Sequence, residues 1–181
     1  MQKPLRIAFG SADRCGKDTA AAFAAAFLEA AAATQAEGSG QGPAATPEVT
    51  RLSFAAKLYE CHDAVHRALG MPPHKERALL RWLGEGLKVH YGQPGLWAGL
   101  VEQQIFGASG HVLITDLRFD VEAQMLRRLD PPFIFVEVRR PGCEPSAGLS
   151  AAPDYVLLNT GSLEDLRQAV DALLRQLSQK N

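Results

Sequence analysis

The sequence of 181 residues lacks several features that define particular classes of protein. Its three cysteines, Cys15, Cys61 and Cys143, are widely spaced and form no C-x-x-C pair, which argues against a disulfide framework and a cysteine zinc site. No apolar run approaches the length of a membrane span, and the first six residues lack the architecture of a signal peptide. We therefore expect a cytoplasmic protein, in the host cytoplasm if the source is viral.

The sequence also lacks an excess of charge of either sign. Nineteen lysines and arginines against twenty acidic residues give a net charge of -1, so no overall field attracts nucleic acid or an anionic membrane. We expect neither nucleic acid nor a membrane as a partner. The protein is expected to be a monomer or a homodimer. With 46% hydrophobic and 22% charged residues, the chain is typical of one globular domain spanning 1–181.

A glycine- and lysine-containing segment follows the first apolar run, Leu5 to Phe9, and precedes an alanine-rich stretch. It partly matches the phosphate-loop pattern G-x-x-x-x-G-K-[ST], with Ser11 at the first glycine and Asp18 at the Ser/Thr position. A loop of this kind at a helix start binds polyphosphate through unpaired backbone N–H groups. The predicted nucleotide-binding residues here are Ser11, Ala12, Asp13, Cys15, Gly16, Lys17, Asp18 and Thr19.

Two aspartates are candidate ligands for Mg²⁺. Asp18 replaces the hydroxyl that normally binds the metal, and a carboxylate is a stronger oxygen ligand. Asp116 ends the buried run Val112 to Thr115, where phosphate-loop enzymes hold the metal or its water. The alternative interpretation is that Asp18 caps a helix and Asp116 caps a helix or a turn.

Apolar patterning predicts strands that alternate with helices, and hence a doubly wound parallel sheet of about five strands with helices on both faces. The Gly- and Pro-rich segment 35–48 is expected to be a flexible surface loop, and 139–153 a lid. Ligands bind at the carboxyl ends of such strands, and the loop from Asn159 to Gly161 suits an adenine. The predicted strands are 5–9, 49–54, 111–116, 133–138 and 155–158, and the predicted helices are 19–33, 55–69, 75–89, 94–106, 120–129 and one starting at Ser162.

Several motifs in order resemble the deoxynucleoside monophosphate kinases of bacteriophages and some bacteria. They are Arg14-x-Gly-Lys-Asp-Thr19, Phe54-Ala55 with Lys57, Arg77-x-x-Leu80 before Leu83-Gly84, Trp97, Ile114-Thr-Asp-x-Arg-Phe119 with Glu122, Arg140-Pro-Gly142, and Asp154 to Asn159 with Gly161. The resemblance implies a phosphate-loop fold and transfer of the γ-phosphoryl of ATP to a deoxynucleoside monophosphate with Mg²⁺. It implies an acceptor site at Phe54, Lys57, Arg77, Arg81, Trp97 and Arg118.

Phosphoryl transfer requires positive charge around the moving group. Lys17, Arg14, Arg118, Arg139 and Arg140 follow predicted strands and are the candidate catalytic residues, although Arg139 and Arg140 need not both point inward. The ionised phosphate of the acceptor is itself the nucleophile, so no catalytic base is expected.

Three alternatives differ in chemistry. The Gly-Lys-Asp loop does not name the acceptor, which leaves kinases of the dephospho-coenzyme A or phosphomevalonate type. His62 and His66, at i and i+4, resemble a zinc-hydrolase motif, but no third ligand has suitable spacing. A GTP-hydrolysing switch would need an Asn-Lys-x-Asp string, which the sequence lacks.

Overall fold

Five parallel strands form the centre of the fold. They are β1 (Arg6–Gly10), β2 (Val49–Leu52), β3 (His111–Leu117), β4 (Ile134–Arg139) and β5 (Tyr155–Leu158). Their order in the sheet is β2-β3-β1-β4-β5, and every adjacent pair is parallel. The protein is described here by a computed structural model, which covers residues 3–10, 14–38, 48–72, 74–143, 146 and 148–180. The predicted α/β class and the five-stranded parallel sheet are confirmed.

Helices connect the strands and cover both faces of the sheet. They are α1 (Lys17–Gly38), α2 (Ala56–Ala68), α3 (Arg77–His90), α4 (Leu96–Phe106), α5 (Asp120–Arg128) and α6 (Leu163–Lys180). Each lies within a few residues of the predicted position. None of the helices in the described part of the chain is both long and apolar enough to cross a bilayer.

Alternating side chains of each strand enter two separate cores. Ile7 and Phe9 of β1 pack in a cluster with apolar residues of α1 and α6. Ala8, between them, faces a second cluster with residues of α4 and α5. A fully buried side chain such as Phe9 stabilises the fold by about 1.5–3 kcal/mol. Because both faces are buried, β1, β3 and β4 read as continuous apolar runs in the sequence.

The handedness of the connections explains which helix covers which face. The chain moves from β1 to β2 toward one edge of the sheet and from β3 to β4 toward the other. Connections between parallel strands are right-handed, so opposite directions place the connecting helices on opposite faces. The α1 residues accordingly lie in one cluster and the α5 residues in the other.

The first long helix extends beyond its predicted end. It continues through Gly38, so residues 35–38 of the predicted surface loop are helical. Glutamine, alanine and glutamate at 35–37 are good helix formers, and the glycine ends the run. Residues 39–47 of that predicted loop lie outside the described part of the chain.

The last residue of β1 leaves no room for a side chain. A Cβ atom on Gly10 would lie 2.5 Å from Cε2 of Phe135 and 3.1 Å from the carbonyl oxygen of Leu117. We expect Gly10→Ala to lower the free energy of unfolding by about 1–3 kcal/mol, because buried backbone and an aromatic ring must move. Urea denaturation measures the change.

Gly99→Ala is the matched control, since Gly99 lies in α4 with no atom within 4 Å of the new methyl group. In a helix interior that substitution raises the free energy of unfolding by up to about 1 kcal/mol. Equal stability of the Gly10→Ala variant and the unaltered protein would contradict the close packing at the end of β1.

Candidate functional site

Two of the described residues in the loop between β1 and α1 have a left-handed backbone. Gly16 has a φ of +98° and Arg14 a φ of 63°, both in the left-handed region. A Cβ atom on Gly16 would also lie 2.5 Å from Nδ2 of Asn159, so only glycine fits there. The N–H of Ala20 donates to the Gly16 carbonyl at 2.9 Å, which starts α1 directly after the loop. Ser11, Ala12 and Asp13 lie outside the described residues.

Asn159 holds this loop from the end of β5. Its Nδ2 donates to the Cys15 carbonyl at 2.9 Å, and its backbone N–H donates to the Arg139 carbonyl at 2.7 Å. Gly161 packs against Asp165, whose carboxylate accepts from the N–H and the hydroxyl of Ser162 at 2.7 Å each. The Asn159 side chain thus contacts protein backbone, and the adenine contact expected for this segment stays a prediction.

The two residues that begin α1 differ sharply in exposure. Lys17 is buried, with 2% of its surface accessible, whereas the Asp18 side chain is 76% exposed. Lys17 Nζ lies 4.0 Å from Asp18 Oδ2. The helix therefore presents a buried cation and an exposed carboxylate at its N-terminus, next to the unpaired N–H groups of the first turn.

Asp116 fixes the connection between β2 and α2. Its Oδ1 accepts from the N–H of Phe54 at 2.8 Å, and its Oδ2 accepts from the Ala55 N–H at 3.0 Å and the Ser53 hydroxyl at 2.7 Å. The carboxylate is buried yet fully hydrogen-bonded, so it stabilises the start of α2 across the sheet. The alternative interpretation expected Asp116 to cap a turn or the helix that begins at Asp120, whereas its carboxylate accepts from the segment before α2. A metal contact by Asp116 stays a prediction.

Glu122 is a second buried carboxyl near Asp116. Its Oε2 accepts from the N–H groups of Arg118 and Phe119 at 2.9 and 3.0 Å. Burial raises the pKa of Glu122 to about 7. The two backbone hydrogen bonds and the charge of Lys88 oppose that shift, and the nearby charge of Asp116 adds to it. Glu122 therefore titrates near neutral pH.

A cavity of about 550 Å³ opens beside Asp18 and the end of β3, between α2, α3 and α4. Four aromatic side chains and four basic side chains contribute to its wall. The aromatic residues are Phe54, Tyr59, Trp97 and Phe119, and the basic residues are Lys75, Arg81, Lys88 and Arg118. Its acidic residues are Asp18, Glu85, Asp116 and Glu122. The indole N–H of Trp97 donates to the Gly84 carbonyl at 2.9 Å, which joins α4 to α3.

The structure brings together part of the predicted acceptor site. Phe54, Arg81, Trp97 and Arg118 line the cavity, whereas Lys57 and Arg77 are not among its described lining residues. Lys57 Nζ instead binds both oxygens of Glu60 at 3.0 and 2.7 Å.

The sequence analysis did not assign Tyr59, Lys75, Lys88 or Phe119 to the acceptor site, although Phe119 belongs to the Asp-x-Arg-Phe motif. A signal for Lys88 exists, because Arg81, Gly84, Glu85 and Lys88 recur at helical spacing on one face of α3.

The predicted catalytic arginines do not all converge. Arg118 lines the cavity, and Arg14, Arg139 and Arg140 are not among its described lining residues. Arg139 binds Glu137 of its own strand through Nε and Nη2, at 3.0 and 2.7 Å.

The second half of the predicted lid is hydrogen-bonded to the start of α5. Asp120 accepts from the N–H and the hydroxyl of Ser150 at 2.7 Å each, and from the Ala151 N–H at 3.1 Å. These bonds lower the pKa of Asp120, the side-chain bond to Ser150 having the largest effect. Leu149 and Ala151 also pack against a core cluster. Closure of this segment stays a prediction.

The first histidine of the predicted zinc alternative, His62, uses both ring nitrogens in hydrogen bonds within the protein. His62 Nε2 accepts from the N–H of Glu76 at 3.3 Å, so its Nδ1 carries the proton and donates to Asp63 at 2.9 Å. Neither ring nitrogen of His62 is then available as a ligand. Within the described part of the chain, no group of three or more His, Cys, Asp or Glu residues is arranged to hold a metal ion.

The all-parallel order β2-β3-β1-β4-β5, with the glycine-lysine loop after the central strand, is consistent with a phosphate-loop kinase-like fold. No protein-family model matches the sequence, and no curated protein matches it. The chain is similar in structure to a candidate kinase from Chloroflexus aurantiacus j-10-fl, with 14% identity, a TM-score of 0.50 and coverage of 97% of this chain and 98% of the other. An unliganded sugar kinase from Janibacter sp. HTCC2649 also aligns, at 14% identity and a TM-score of 0.48 over 96% of this chain and 95% of that one.

The ionisation of Glu122 gives a pH prediction. A carboxyl whose pKa rises from 4.5 in the unfolded chain to about 7 in the fold stabilises the fold while protonated, and loses that contribution as the pH rises through 7. Glu122→Gln cannot ionise and still accepts both N–H groups. We expect the variant to gain about 3 kcal/mol of unfolding free energy relative to the unaltered protein between pH 4.5 and values above 7.

Urea denaturation at a series of pH values measures this difference. Glu29→Gln, on the exposed side of α1, is the control for removal of a carboxylate. A pH-independent difference between Glu122→Gln and the unaltered protein would show that Glu122 keeps its ordinary pKa in the fold.

Proposed function

We propose that this protein is a small-molecule kinase that transfers the γ-phosphoryl group of ATP to a deoxynucleoside monophosphate. The observation that carries the proposal is the cavity beside Asp18, which combines aromatic and basic side chains next to the loop at the start of α1. Its volume of about 550 Å³ lies within the range of small-molecule sites, about 300–1,000 Å³. The same fold in a candidate kinase supports phosphoryl transfer as the class of reaction.

The donor nucleotide binds at the loop between β1 and α1. The N–H groups that begin α1 point at its phosphates, and Lys17 supplies a full positive charge from within the loop. Lys17 is buried, so its charge acts in a medium of low dielectric constant and is weakly screened by salt. Thr19, which is half-buried, adds a hydroxyl donor one residue beyond Asp18.

The acceptor binds in the cavity. A base is flat and apolar on both faces, and aromatic residues such as Phe54, Tyr59 and Phe119 suit it. The phosphate of the acceptor needs cations, which Arg81, Arg118 and Lys75 supply. Lys88 is partly neutralised by Glu85, whose Oε1 lies 3.0 Å from its Nζ.

The residues at the mouth of the cavity fit a Mg²⁺ ion. Mg²⁺ is usually held by one or two carboxylates, several waters and the substrate phosphates. Asp18 offers an exposed carboxylate at the loop, and Asp116, whose oxygens already accept three hydrogen bonds, would act through a water. When bound, Mg²⁺ would supply positive charge that offsets the negative charge developing on the phosphates.

In the reaction, an oxygen of the acceptor phosphate bonds to the γ-phosphorus of ATP, and the bond from that phosphorus to the ADP oxygen breaks. The protein positions the two substrates and offsets negative charge, and it needs no general base, because the attacking oxygen is already ionised. Lys17 faces the donor side and Arg118 the acceptor side. With both substrates bound, the site must exclude water from the transferred phosphoryl group, because water would otherwise attack it and hydrolyse ATP.

The proposal predicts a defined substrate range. ADP release, measured with ATP and a panel of deoxy- and ribonucleoside monophosphates, dephospho-coenzyme A and phosphomevalonate, should be fastest with one or more deoxynucleoside monophosphates. Lys17→Met should lower kcat about 10²–10³-fold, because its charge stabilises the transition state. Arg175→Met, which removes a cation from the exposed face of α6, should retain the rate. Turnover of only dephospho-coenzyme A or phosphomevalonate would assign another acceptor, and no turnover would reject the kinase proposal.

The exposed carboxylate at the loop yields a prediction on metal dependence. Asp18→Asn should raise the Mg²⁺ concentration for half-maximal rate by about tenfold or more, because a neutral amide is a weaker ligand for a hard cation. Initial rates over a Mg²⁺ series at saturating nucleotides measure it. Asp171→Asn, a carboxylate removed from α6, controls for net charge. If the Mg²⁺ requirement is unchanged, Asp18 serves only the start of the helix.

A further inference from the structure

The part of the cavity wall that follows β3 is bonded to a later segment of the chain. That segment, residues 146 and 148–151, is called the anchoring segment below. The Ser146 hydroxyl donates to the Arg118 carbonyl at 3.1 Å, and the Gly148 carbonyl accepts from the Asp120 N–H at 2.9 Å. Asp120 also accepts from donors at positions 150 and 151 of the segment. The anchoring segment therefore holds the backbone that connects β3 to α5.

The side chain between these bonded residues, Phe119, packs directly on the anchoring segment. A Cβ atom on Gly148 would lie 2.5 Å from Cδ1 and 2.9 Å from Cε1 of the Phe119 ring, closer than the contact distance of about 3.5 Å between carbon atoms. The ring also contacts α3, since Lys88 Nζ lies 5.7 Å from its centroid, within reach of cation–π attraction. Lys88 is itself held by Glu85 at 3.0 Å. These two contacts set the position of the ring.

Phe119 offers the most accessible ring among the four aromatic residues of the cavity wall. It is 47% exposed, compared with 37% for Tyr59, whereas Phe54 and Trp97 are buried. Phe54 belongs to a core cluster, and the indole of Trp97 is bonded to the backbone of α3. Because Phe119 lines the cavity and keeps nearly half of its surface accessible, a planar ligand can reach the face of its ring.

We propose that Gly148 positions Phe119 as the surface on which the base of the acceptor stacks. A residue that is not among the described lining residues of the cavity thereby determines which class of acceptor binds. The proposal rests on the proposed function, since it takes the acceptor to be a nucleoside monophosphate. A nucleobase presents a flat π-face to an aromatic ring, and such stacking tolerates every base. An acceptor without a flat ring, such as phosphomevalonate, gains nothing from this contact.

A side chain at position 148 would act on the ring. Gly148 is not among the glycines with a positive φ, so alanine fits its backbone. The added methyl group would lie 3.2 Å from the Arg118 carbonyl oxygen but only 2.5 Å from the Phe119 ring, so the ring is the group that must move. Because Phe119 is half exposed, its ring has room to turn, and we expect Gly148→Ala to change the cavity wall and keep the fold.

Fluorine NMR of the full chain tests the contact without any ligand. The eight phenylalanines are replaced by 4-fluorophenylalanine, and the signal that is lost in Phe119→Leu identifies Phe119. Gly148→Ala should shift this signal by more than its line width, because the ring moves away from the new methyl group. Gly99→Ala is the matched control, since its methyl group meets no atom within 4 Å, and it should leave the signal in place.

Rates of ADP release over a concentration series of each deoxynucleoside monophosphate test the effect on the acceptor. Phe119→Ala should raise the acceptor KM about tenfold or more, since stacking of a base on an aromatic ring contributes affinity of that order. Gly148→Ala should raise it about threefold or more through the displaced ring. Phe119→Tyr keeps a ring and should retain the acceptor KM, as should Gly99→Ala. The KM for ATP should be unchanged in all four variants.

Three results would each overturn the proposal. They are an unmoved fluorine signal in Gly148→Ala, an unchanged acceptor KM in Phe119→Ala, and an equal rise of the KM values for ATP and for the acceptor, which a general loss of structure would cause. Absence of ADP release with every deoxynucleoside monophosphate would instead reject the proposed function, and with it the stacking of a base. The fluorine spectra would still decide whether Gly148 positions the ring.

Discussion

The fixed hand of parallel-strand connections is the constraint on which the site depends. Because β1 connects toward β2 on one side and β3 connects past β1 to β4 on the other, their helices must cover opposite faces. The sheet is therefore open above the carboxyl end of β1, and the chain can leave that strand in a loop without meeting a covering helix. The proposed phosphate-binding residues from Arg14 to Lys17 lie at this opening.

Two polar side chains hold the opening in shape from neighbouring strand ends. Asn159, after β5, donates to the backbone of Cys15, and Asp116, in β3, accepts from three donors at the start of α2. Both side chains form hydrogen bonds with backbone groups of irregular segments, which would otherwise be unpaired away from water. Removing either side chain is therefore costly. The bond from Asn159 positions the loop before α1, and the bonds to Asp116 position the part of the cavity wall that α2 begins. Both side chains lie at ends of strands in the same sheet, so the sheet fixes the loop and the cavity relative to each other.

The sequence was sufficient for the fold, because the central strands β1, β3 and β4 are buried on both faces and are largely apolar. It also located the turn between β1 and α1, since Gly16 has a positive φ and α1 begins at Lys17, while nucleotide binding by this loop stays a prediction. It was insufficient for the cavity, where Lys57 turned to Glu60 and Tyr59 lined the wall. Which face of a short helix meets a pocket depends on how α2, α3 and α4 pack together, and local periodicity does not fix that packing.

Charge balance explains how one cavity can serve an anionic substrate while containing so many carboxylates. Its four basic residues face four acids, but the acids are not equivalent. Asp116 accepts hydrogen bonds from backbone N–H groups, and Glu85 forms an ion pair with Lys88. Glu122, with a pKa of about 7, is partly neutral near physiological pH. Asp18 keeps an exposed carboxylate 4.0 Å from Lys17 Nζ, and it stands where a cation would be shared with the donor phosphates. Acids that are held by backbone donors, paired with a lysine or partly protonated offset the basic residues less than their formal count suggests, on the side where an acceptor phosphate would bind.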